Sequence, residues 1–419
     1  MPEREPAAGR GHRHERGAGG AGALARRERE RRGRALSAQR RGRRHLELAA
    51  RRLADLPAPP AAADPEARAA SPAAAGPSPA AAAAAAKPGG GGRTGRRRRE
   101  AQLMQPEWMV APPGDLQHAW YVAARPEGRR CLVVATRGST LVRDKRGAVV
   151  LRAPTALPNG SQATQEGSES FSILDCILDE AAKTFHVMDL MCWRGYLLYD
   201  CDTEFRQFWV QTKLAECAAG VAGAEAEAAG WEYAFAPVGY FEASSAGILQ
   251  AYQAPAPYAK NGLFFAHREA HYQLGLTPLC LVWKDPACCR YFVDTERDGT
   301  VPERQTAVLR LLPGGALAGT GDDPPVPACA VEVVDGRLDG VRLGAPLQEG
   351  AALRFSLGPA GPGFPGGLLE LPWRFEGPAK GRDRPADTFS KIVFQRMART
   401  APLGLRALLE AAIADDAEM

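Results

Sequence analysis

The sequence predicts an α+β fold whose central domain is built on antiparallel sheets. Between residues 101 and 300, short apolar runs alternate with turns rich in Gly, Pro and polar residues, which is typical of strands. Within this range the segment 203–218, with the apolar residues Phe205, Phe208, Trp209 and Leu214, is predicted to be helical. Many strands with few helices favour α+β over an alternating parallel architecture.

The predicted strands come largely in pairs. We expect the first two, 119–124 and 130–135, to form a hairpin closed by a Pro-Glu-Gly turn. A second pair is expected from 172–178 and 184–191. The remaining strands are predicted at 262–266 and 277–283.

The first hundred residues are nearly all Ala, Gly, Pro, Arg and Glu and contain no aromatic residue. Such a composition cannot bury enough apolar surface to offset the entropy of ordering. We therefore predict disorder for 1–22 and a flexible Pro/Ala/Gly linker for 57–100. Between them, 23–56 is predicted as a basic helix that forms fully only on a partner; a solvated helix or a plain tail stays open.

The C-terminal part differs again from the central domain. Residues 301–385 have short apolar runs between many Gly and Pro residues and predict a small β-rich appendage. Residues 386–419 predict C-terminal helices, one over 389–399 and one over 402–412.

The chain of 419 residues has a formal net charge of +5, and most of the positive excess lies before residue 100. A basic arm on a near-neutral body indicates an acidic partner, either nucleic acid or an acidic protein surface. The nine cysteines form no C-x-x-C pair, and the seven histidines do not combine with them at ligand spacing. We predict reduced thiols, no metal, no cofactor and no membrane segment.

Three stretches carry a resemblance to a known family. They are QLMQPEWM at 102–109, RRCLVVATRGST at 129–140, and ILDCI at 173–177 followed by MDLMCWRG at 188–195. They resemble the snurportins, adaptors that carry spliceosomal small nuclear ribonucleoproteins into the nucleus. The likeness covers about 101–290 and the basic segment near 26–55.

The resemblance implies a domain that binds the 2,2,7-trimethylguanosine cap of small nuclear RNA, with a fold akin to mRNA guanylyltransferases. It also implies shuttling between nucleus and cytoplasm. The run Arg125-Pro126-Glu127-Gly128-Arg129-Arg130 stands where guanylyltransferases and ligases carry K-x-D-G-x-R. Arg125 takes the position of the nucleophilic lysine, and a guanidinium stays protonated and cannot attack a triphosphate. We therefore predict binding without catalysis.

The same resemblance assigns the cap-binding residues. Trp283 is expected to stack on the methylated guanine, and Trp108 to lie beside the exocyclic methyl groups. An indole face holds a base by stacking, and more strongly when the base is cationic; the alternative for either Trp is core filling. The other assigned residues are Gln105 and Pro106 in the loop at the base, Arg130 and Lys145 at the phosphates, and Arg125 as a further phosphate contact suggested by its charge.

The basic segment resembles the importin-β-binding region of the family, and arginine-rich helices suit the acidic inner face of a helical-repeat solenoid. Direct RNA contact by the arm is the rival interpretation. Residues 1–25 lack the apolar pattern that the family uses with its export receptor, so that partner stays open. The predicted importin contacts are Arg31, Arg32, Arg40, Arg43, Arg44, Arg51, Arg52 and Leu53.

Two other functions remain open from the sequence. One is a guanylyltransferase-like RNA-capping enzyme that uses a lysine elsewhere. The other is a nuclear scaffold that binds RNA non-specifically through its arginines.

Overall fold

The computed structural model describes residues 15–39, 43–54, 102–145, 147–167, 169–216, 228–296, 298–313, 316–319, 327–330, 333–334, 337–338, 341–342, 347–358, 373–379 and 386–414. The predicted linker 57–100 lies outside the described residues, as does most of the predicted disordered start.

Seven helices are described: α1 Glu15–Ala38, α2 Arg43–Leu53, α3 Leu116–Ala119, α4 Thr203–Glu216, α5 Ser245–Gln253, α6 Phe389–Thr400 and α7 Leu405–Ala414. The first ten described strands are β1 Met104–Trp108, β2 Trp120–Pro126, β3 Arg129–Thr136, β4 Ser139–Asp144, β5 Val149–Ala153, β6 Phe171–Asp179, β7 Thr184–Trp193, β8 Tyr196–Leu197, β9 Ala234–Pro237 and β10 Tyr240–Glu242. The others are β11 Lys260–His267, β12 Gly275–Trp283, β13 Gln305–Leu311, β14 Ala316–Ala318, β15 Pro327–Ala330, β16 Val333–Val334, β17 Arg337–Leu338, β18 Val341–Arg342, β19 Ala352–Leu357 and β20 Trp373–Pro378.

Two sheets form the central domain. The first has the order β1-β12-β11-β2-β10, and the second the order β5-β4-β3-β6-β7-β8, with β9 added to β7. The pairings are antiparallel except for β1 with β12 and β7 with β9. The α+β class with antiparallel sheets is therefore confirmed, and so is the predicted helix of the central domain, α4.

The inner faces of the two sheets meet in one apolar core. Because side chains alternate along a strand, β12 gives Cys280 to this core and sends Leu281 to the opposite face. β3 likewise directs Leu132 inward and Val133 outward. This alternation decides which side chains can reach the space between the sheets.

The predicted hairpin of the first two strands is wrong, because the two strands lie in different sheets. β2 pairs with β10 and β11, whereas β3 pairs with β4 and β6. The chain crosses between the sheets at Glu127 and Gly128. Gly128 has a φ of +143°, and a Cβ there would lie 2.4 Å from the Leu178 carbonyl oxygen, so the crossing requires glycine. The second predicted pair, β6 with β7, is confirmed.

The N-terminal arm packs on the central domain. α1 begins at Glu15, within the segment predicted to be disordered, and continues through Gly33. It lies against β12, while Ala50 and Leu53 of α2 and the following Ala54 lie in the core between the sheets. The described helices of the arm therefore pack on the central domain of the same chain, where an external partner had been expected.

The C-terminal region packs on the central domain at two places. The sheet β15-β14-β13-β19-β20 packs with α6 around Phe355 and Phe394. α7 places Leu408 and Ala412 in the cluster that also holds Trp283. Both predicted C-terminal helices are confirmed, with the second beginning at Leu405.

Cys131, Cys176, Cys192, Cys201, Cys280, Cys288 and Cys289 form no disulfide within the described part of the chain. No helix in the described part of the chain has the length and apolar character needed to cross a bilayer.

His186 on β7 supplies a test of the core by pH. It is buried and packs against Tyr258 with ring centroids 4.6 Å apart, and within the described residues neither ring nitrogen has a hydrogen-bond partner. Burial lowers the pKa of His186, and the more distant Asp179 only partly opposes this. The unfolded chain therefore binds a proton more readily below an ordinary histidine pKa of ~6.5, and stability falls as the pH drops through that value.

We expect His186→Leu to flatten the decline in the free energy of unfolding between about pH 7.5 and about pH 5. Urea denaturation at a series of pH values measures this. His267 and His271 also have pKa values lowered by burial, so a shallower slope should remain. A slope equal to that of the wild-type chain would contradict the role given to His186.

Candidate functional site

One end of the first sheet carries aromatic and basic side chains on its inner face. Trp108 pairs with Val282 across β1 and β12, so both point the same way. Lys284 follows on that face, with its ammonium nitrogen 5.5 Å from the centre of the Trp108 ring. On β2, Ala123 faces the inner core and Arg125 follows it two residues later. Arg125 borders the space between the sheets, while the Trp108 ring packs against the C-terminal cluster around Phe394.

The two basic side chains are brought together by a bulge in β11. The register of β11 against β2 shifts between Lys260 and Leu263, so Asn261 and Gly262 lie opposite the region of Arg125. Gly262 has a φ of +89°, and a Cβ there would lie 2.3 Å from the Trp283 carbonyl oxygen and 2.8 Å from Cγ of Lys284. The positive φ and the close approach of the β12 backbone explain glycine at this position.

Arg125 and Lys284 carry charges without a counter-ion. Among the described residues neither forms an ion pair; Arg125 donates a long hydrogen bond of 3.5 Å to the Pro126 carbonyl, and Lys284 donates one of 3.3 Å to the Tyr291 carbonyl. Burial, reinforced by Arg130, lowers the pKa of Arg125 to about 10. Burial, reinforced by Arg125, lowers the pKa of Lys284. Desolvated like charges are unfavourable, so an anion placed between them would be stabilised.

Asn261 adds an unsatisfied acceptor at the same bulge. Its Oδ1 is buried and accepts no hydrogen bond from the described residues. Buried polar atoms are normally paired, so this oxygen marks a place where a ligand donor would fit.

Arg130 occupies a different environment from Arg125. Its Nε and Nη2 donate to the two carboxylate oxygens of Asp175 at 3.0 and 2.6 Å, and Nη2 also donates to the Met104 carbonyl. Tyr272 donates to the same carboxylate at 2.7 Å and accepts from the Met104 amide. Burial acts to lower the pKa of Arg130, but Asp175 outweighs it and the pKa is raised. The predicted phosphate role of Arg130 therefore needs correction, because its charge is neutralised within the fold.

Trp108 is half-buried, and two neighbours occupy its ring. Phe394 from α6 packs against it with ring centroids 4.7 Å apart, and the Lys284 ammonium lies over it. The backbone amide of Trp108 donates to Ser390 at 3.2 Å, which fixes the end of β1 against α6. Trp108 is thus an aromatic side chain with remaining exposure beside unpaired cations.

The prediction that Trp283 stacks on a base is wrong for this structure. Trp283 is 0% exposed, and its indole N–H donates to the Leu403 carbonyl at 2.8 Å. It lies on the outer face of β12, beneath α5 and α7, because alternation places it opposite to Val282 and Lys284. The core-filling alternative holds for this residue.

The other predicted cap residues lie on an edge strand and in an exposed turn. Gln105 and Pro106 were expected in a loop but lie in β1, an edge strand with a bulge directly after Pro106. Proline is tolerated at such an edge because it has no N–H to donate. Lys145 is exposed in the turn between β4 and β5, where the Gly147 amide closes the turn on the Asp144 carbonyl.

Several predicted importin contacts face the domain instead of solvent. Arg31 is buried and donates to Glu28 at 2.8 Å and to Glu107 at 2.8 and 2.5 Å. Arg32 is buried near the Trp120 ring, and burial lowers its pKa. Leu53 lies in the core.

The remaining predicted importin contacts are less enclosed or are not described. Arg51 pairs with Glu169, and Arg52 is exposed. Arg40 and the side chains of Arg43 and Arg44 lie outside the described residues.

Sequence reasoning missed Lys284 as a site residue. The signal was present in the alternation along β12, since the residue two positions after Val282 must share its face. Trp283, which was assigned instead, lies on the opposite face of β12.

An open cavity of about 430 Å³ lies beyond the bulge, lined by Glu127, Tyr252, Lys260, Ala287, Cys288, Cys289 and Arg290. It is not the space between Trp108 and Arg125. No group of three His, Cys, Asp or Glu side chains in the described ranges is arranged to hold a metal ion.

An α+β domain with an aromatic face beside unpaired cations has the features of a domain that binds an aromatic, anionic ligand. The family comparison makes this specific. Residues 102–286 match the family model described as Snurportin1, m3G cap-binding domain, so this segment is similar to the cap-binding domain of the snurportins.

The solved structures that this chain matches include DNA ligases. A mycobacterial DNA ligase D complexed with ATP and MES is 16% identical and covers 68% of this chain and 97% of its own, with a TM-score of 0.32. The ligase domain of LigD from M. tuberculosis is 13% identical and covers 68% of this chain and 96% of its own, with a TM-score of 0.31. Scores this low carry no information about function.

We expect Asp175→Asn to lower the free energy of unfolding by ~3–5 kcal/mol, because it leaves the Arg130 guanidinium buried without a counter-ion. Denaturant unfolding measures the change. The matched control is Arg129→Met, which removes an exposed pair with Glu180 at 3.5 Å and should change stability by less than ~1 kcal/mol. Equal losses in the free energy of unfolding for the two substitutions would show that the buried Arg130–Asp175 pair contributes no more to stability than the exposed pair.

Proposed function

We propose that this protein is a nuclear import adaptor. Its central domain binds the 2,2,7-trimethylguanosine cap of spliceosomal small nuclear RNA, and its basic arm links the ribonucleoprotein to importin β. On this proposal the protein moves between cytoplasm and nucleus. The match of residues 102–286 to a cap-binding domain supports the first part.

The observation that carries the proposal is the inner-face group of Trp108, Arg125 and Lys284. A cap joins a flat, positively charged purine to a chain of phosphates. Trp108 supplies an aromatic surface for the purine. Arg125 and Lys284, which have no described counter-ion, supply positive charge for the phosphates. Lys145 can add only a screened contribution, since it is exposed in a turn.

Methylation of the purine explains how such a site would discriminate between caps. The trimethylated base has lost its N2–H donors and carries a positive charge at N7. An aromatic wall suits this base, whereas unmodified guanine would leave its N2–H donors without partners at a cost of ~1–3 kcal/mol.

A binding role fits the residue types better than catalysis. Arg125 stands at the position of the lysine nucleophile in the enzymes that this segment resembles, and an arginine forms no nucleotidyl intermediate. Lys284, the lysine nearest to it on the inner face, is expected to serve as a phosphate contact.

The importin part of the proposal requires that the arm leave the domain. Arg31, Arg32 and Leu53 are buried here, so importin β could reach them only after α1 and α2 undock. Apparent affinity is reduced by the fraction of molecules in which the arm is free. Arg52, which is already exposed, could form the first contact.

We expect Trp108→Ala to weaken binding of a trimethylated cap dinucleotide by ~1–3 kcal/mol, because a stacking surface is lost. Titration of the full chain with trimethylated, monomethylated and unmethylated cap dinucleotides measures affinity and selectivity together. Trp209→Ala, on the distant α4, is the control and should leave affinity unchanged. The proposal fails if the wild-type chain binds the three dinucleotides equally or none of them.

We expect Glu107→Gln to tighten importin β binding by about tenfold, because a loss of ~1–2 kcal/mol in docking raises the fraction of free arms by that factor. Binding of full-length protein to immobilised importin β measures it. Glu242→Gln is the control, since Glu242 pairs with Arg268 and not with the arm. Unchanged or weaker binding by Glu107→Gln would exclude competition between domain and importin for Arg31.

A further inference from the structure

The Lys284 ammonium occupies the place that a cationic base would need. It lies 5.5 Å from the centre of the Trp108 ring, within the range in which a cation is attracted to an aromatic face. The positively charged purine of a methylated cap would be attracted to the same face for the same reason. The two cations cannot share one surface.

We propose that Lys284 is an internal placeholder for the methylated base: it covers Trp108 in the empty site and moves to the phosphates when a cap binds. This inference rests on the proposed cap-binding function and adds a regulatory step to the same site.

Lys284 is the neighbour of Trp108 that can move. Phe394 is buried, and its helix α6 is anchored by a Thr388 cap and by the core around β13. Lys284 is held over the ring mainly by one long hydrogen bond of 3.3 Å to the Tyr291 carbonyl, and its four-carbon stem has several rotamers. A base that stacks on Trp108 therefore displaces the lysine and leaves the phenylalanine in place.

The displaced ammonium has a favourable destination only when phosphate is present. Without an anion, movement away from Trp108 brings it no described carboxylate partner, and Arg125 repels it. Asp294, the carboxylate whose charge acts on Lys284, already pairs with Lys391 at 2.8 Å. A phosphate chain next to the stacked base would attract both Arg125 and Lys284 and relieve their mutual repulsion.

Lys284 should therefore oppose binding of the base alone and favour binding of the base with its phosphates. Its removal separates the two effects. Lys284→Met keeps most of the apolar stem and removes the charge. For the trimethylguanosine nucleoside, which lacks phosphate, we expect binding about two- to fivefold tighter, because the competing cation is gone. For the trimethylated cap dinucleotide we expect binding at least about threefold weaker, because a charged contact to phosphate is lost.

Both ligands are titrated into the full-length wild-type chain, Lys284→Met and the control Lys183→Met. Lys183 is exposed and pairs with Glu232 away from the site, so its substitution should change neither affinity. In parallel, reductive ¹³C-methylation of the lysines gives each amine an NMR signal and keeps its charge. The signal that disappears in Lys284→Met should be displaced by the Trp108 ring current and should move when nucleoside binds.

The placeholder role is excluded if Lys284→Met weakens the binding of both ligands by the same factor. It is excluded as well if the substitution leaves the affinity for the nucleoside unchanged while the wild-type chain still binds the cap dinucleotide. It is also excluded if the Lys284 signal does not respond to nucleoside. Failure of the wild-type chain to bind either ligand would instead overturn the cap-binding proposal itself, so the two failures are distinguishable.

Discussion

The buried ion pair between Arg130 and Asp175 is the interaction on which the arrangement of the two sheets depends. It joins β3 and β6 of one sheet to β1 of the other through the Met104 carbonyl, and Tyr272 completes the network. Because the pair is enclosed, breaking it would leave a charge inside the protein. The network therefore fixes β1 against the second sheet, and β1 carries Trp108. The position of the candidate binding surface follows from this internal electrostatic contact.

Neutralisation of Arg130 also defines the electrostatics of the site. Three cations lie near one another on the inner side of the domain, and only Arg130 has a carboxylate partner among the described residues. Arg125 and Lys284 repel each other across the β11 bulge. The protein thus separates a structural arginine from two side chains whose charges remain for an anion. Sequence alone could not make this distinction, since all three are basic residues near strand ends.

Much of the fold could be predicted because strand and helix signals are local. β6, β7, α4 and the C-terminal helices follow from periodicity and turn residues. The partner of a strand is not a local property, and the crossing at Gly128 between two sheets could not be separated from a hairpin. The docking of α1 depends on Glu107, far away in sequence, so the arm was expected to need an external partner. The site was found in part: Trp108 and Arg125 lie on the inner face, and Trp283 does not.

The position of Trp283 beneath α7 has a practical consequence for work on the isolated domain. A fragment cut near residue 300 would remove Leu403, which accepts the indole hydrogen bond, and Phe394, which packs on Trp108. The Trp283 indole, buried in the intact chain, would then meet water, and the half-buried Trp108 ring would become more exposed, together with the apolar surface around them. Such a fragment would tend to aggregate through its exposed apolar surface. Its tryptophan fluorescence and its apparent ligand preference would then report on the newly exposed tryptophans more than on the recognition surface of the intact protein.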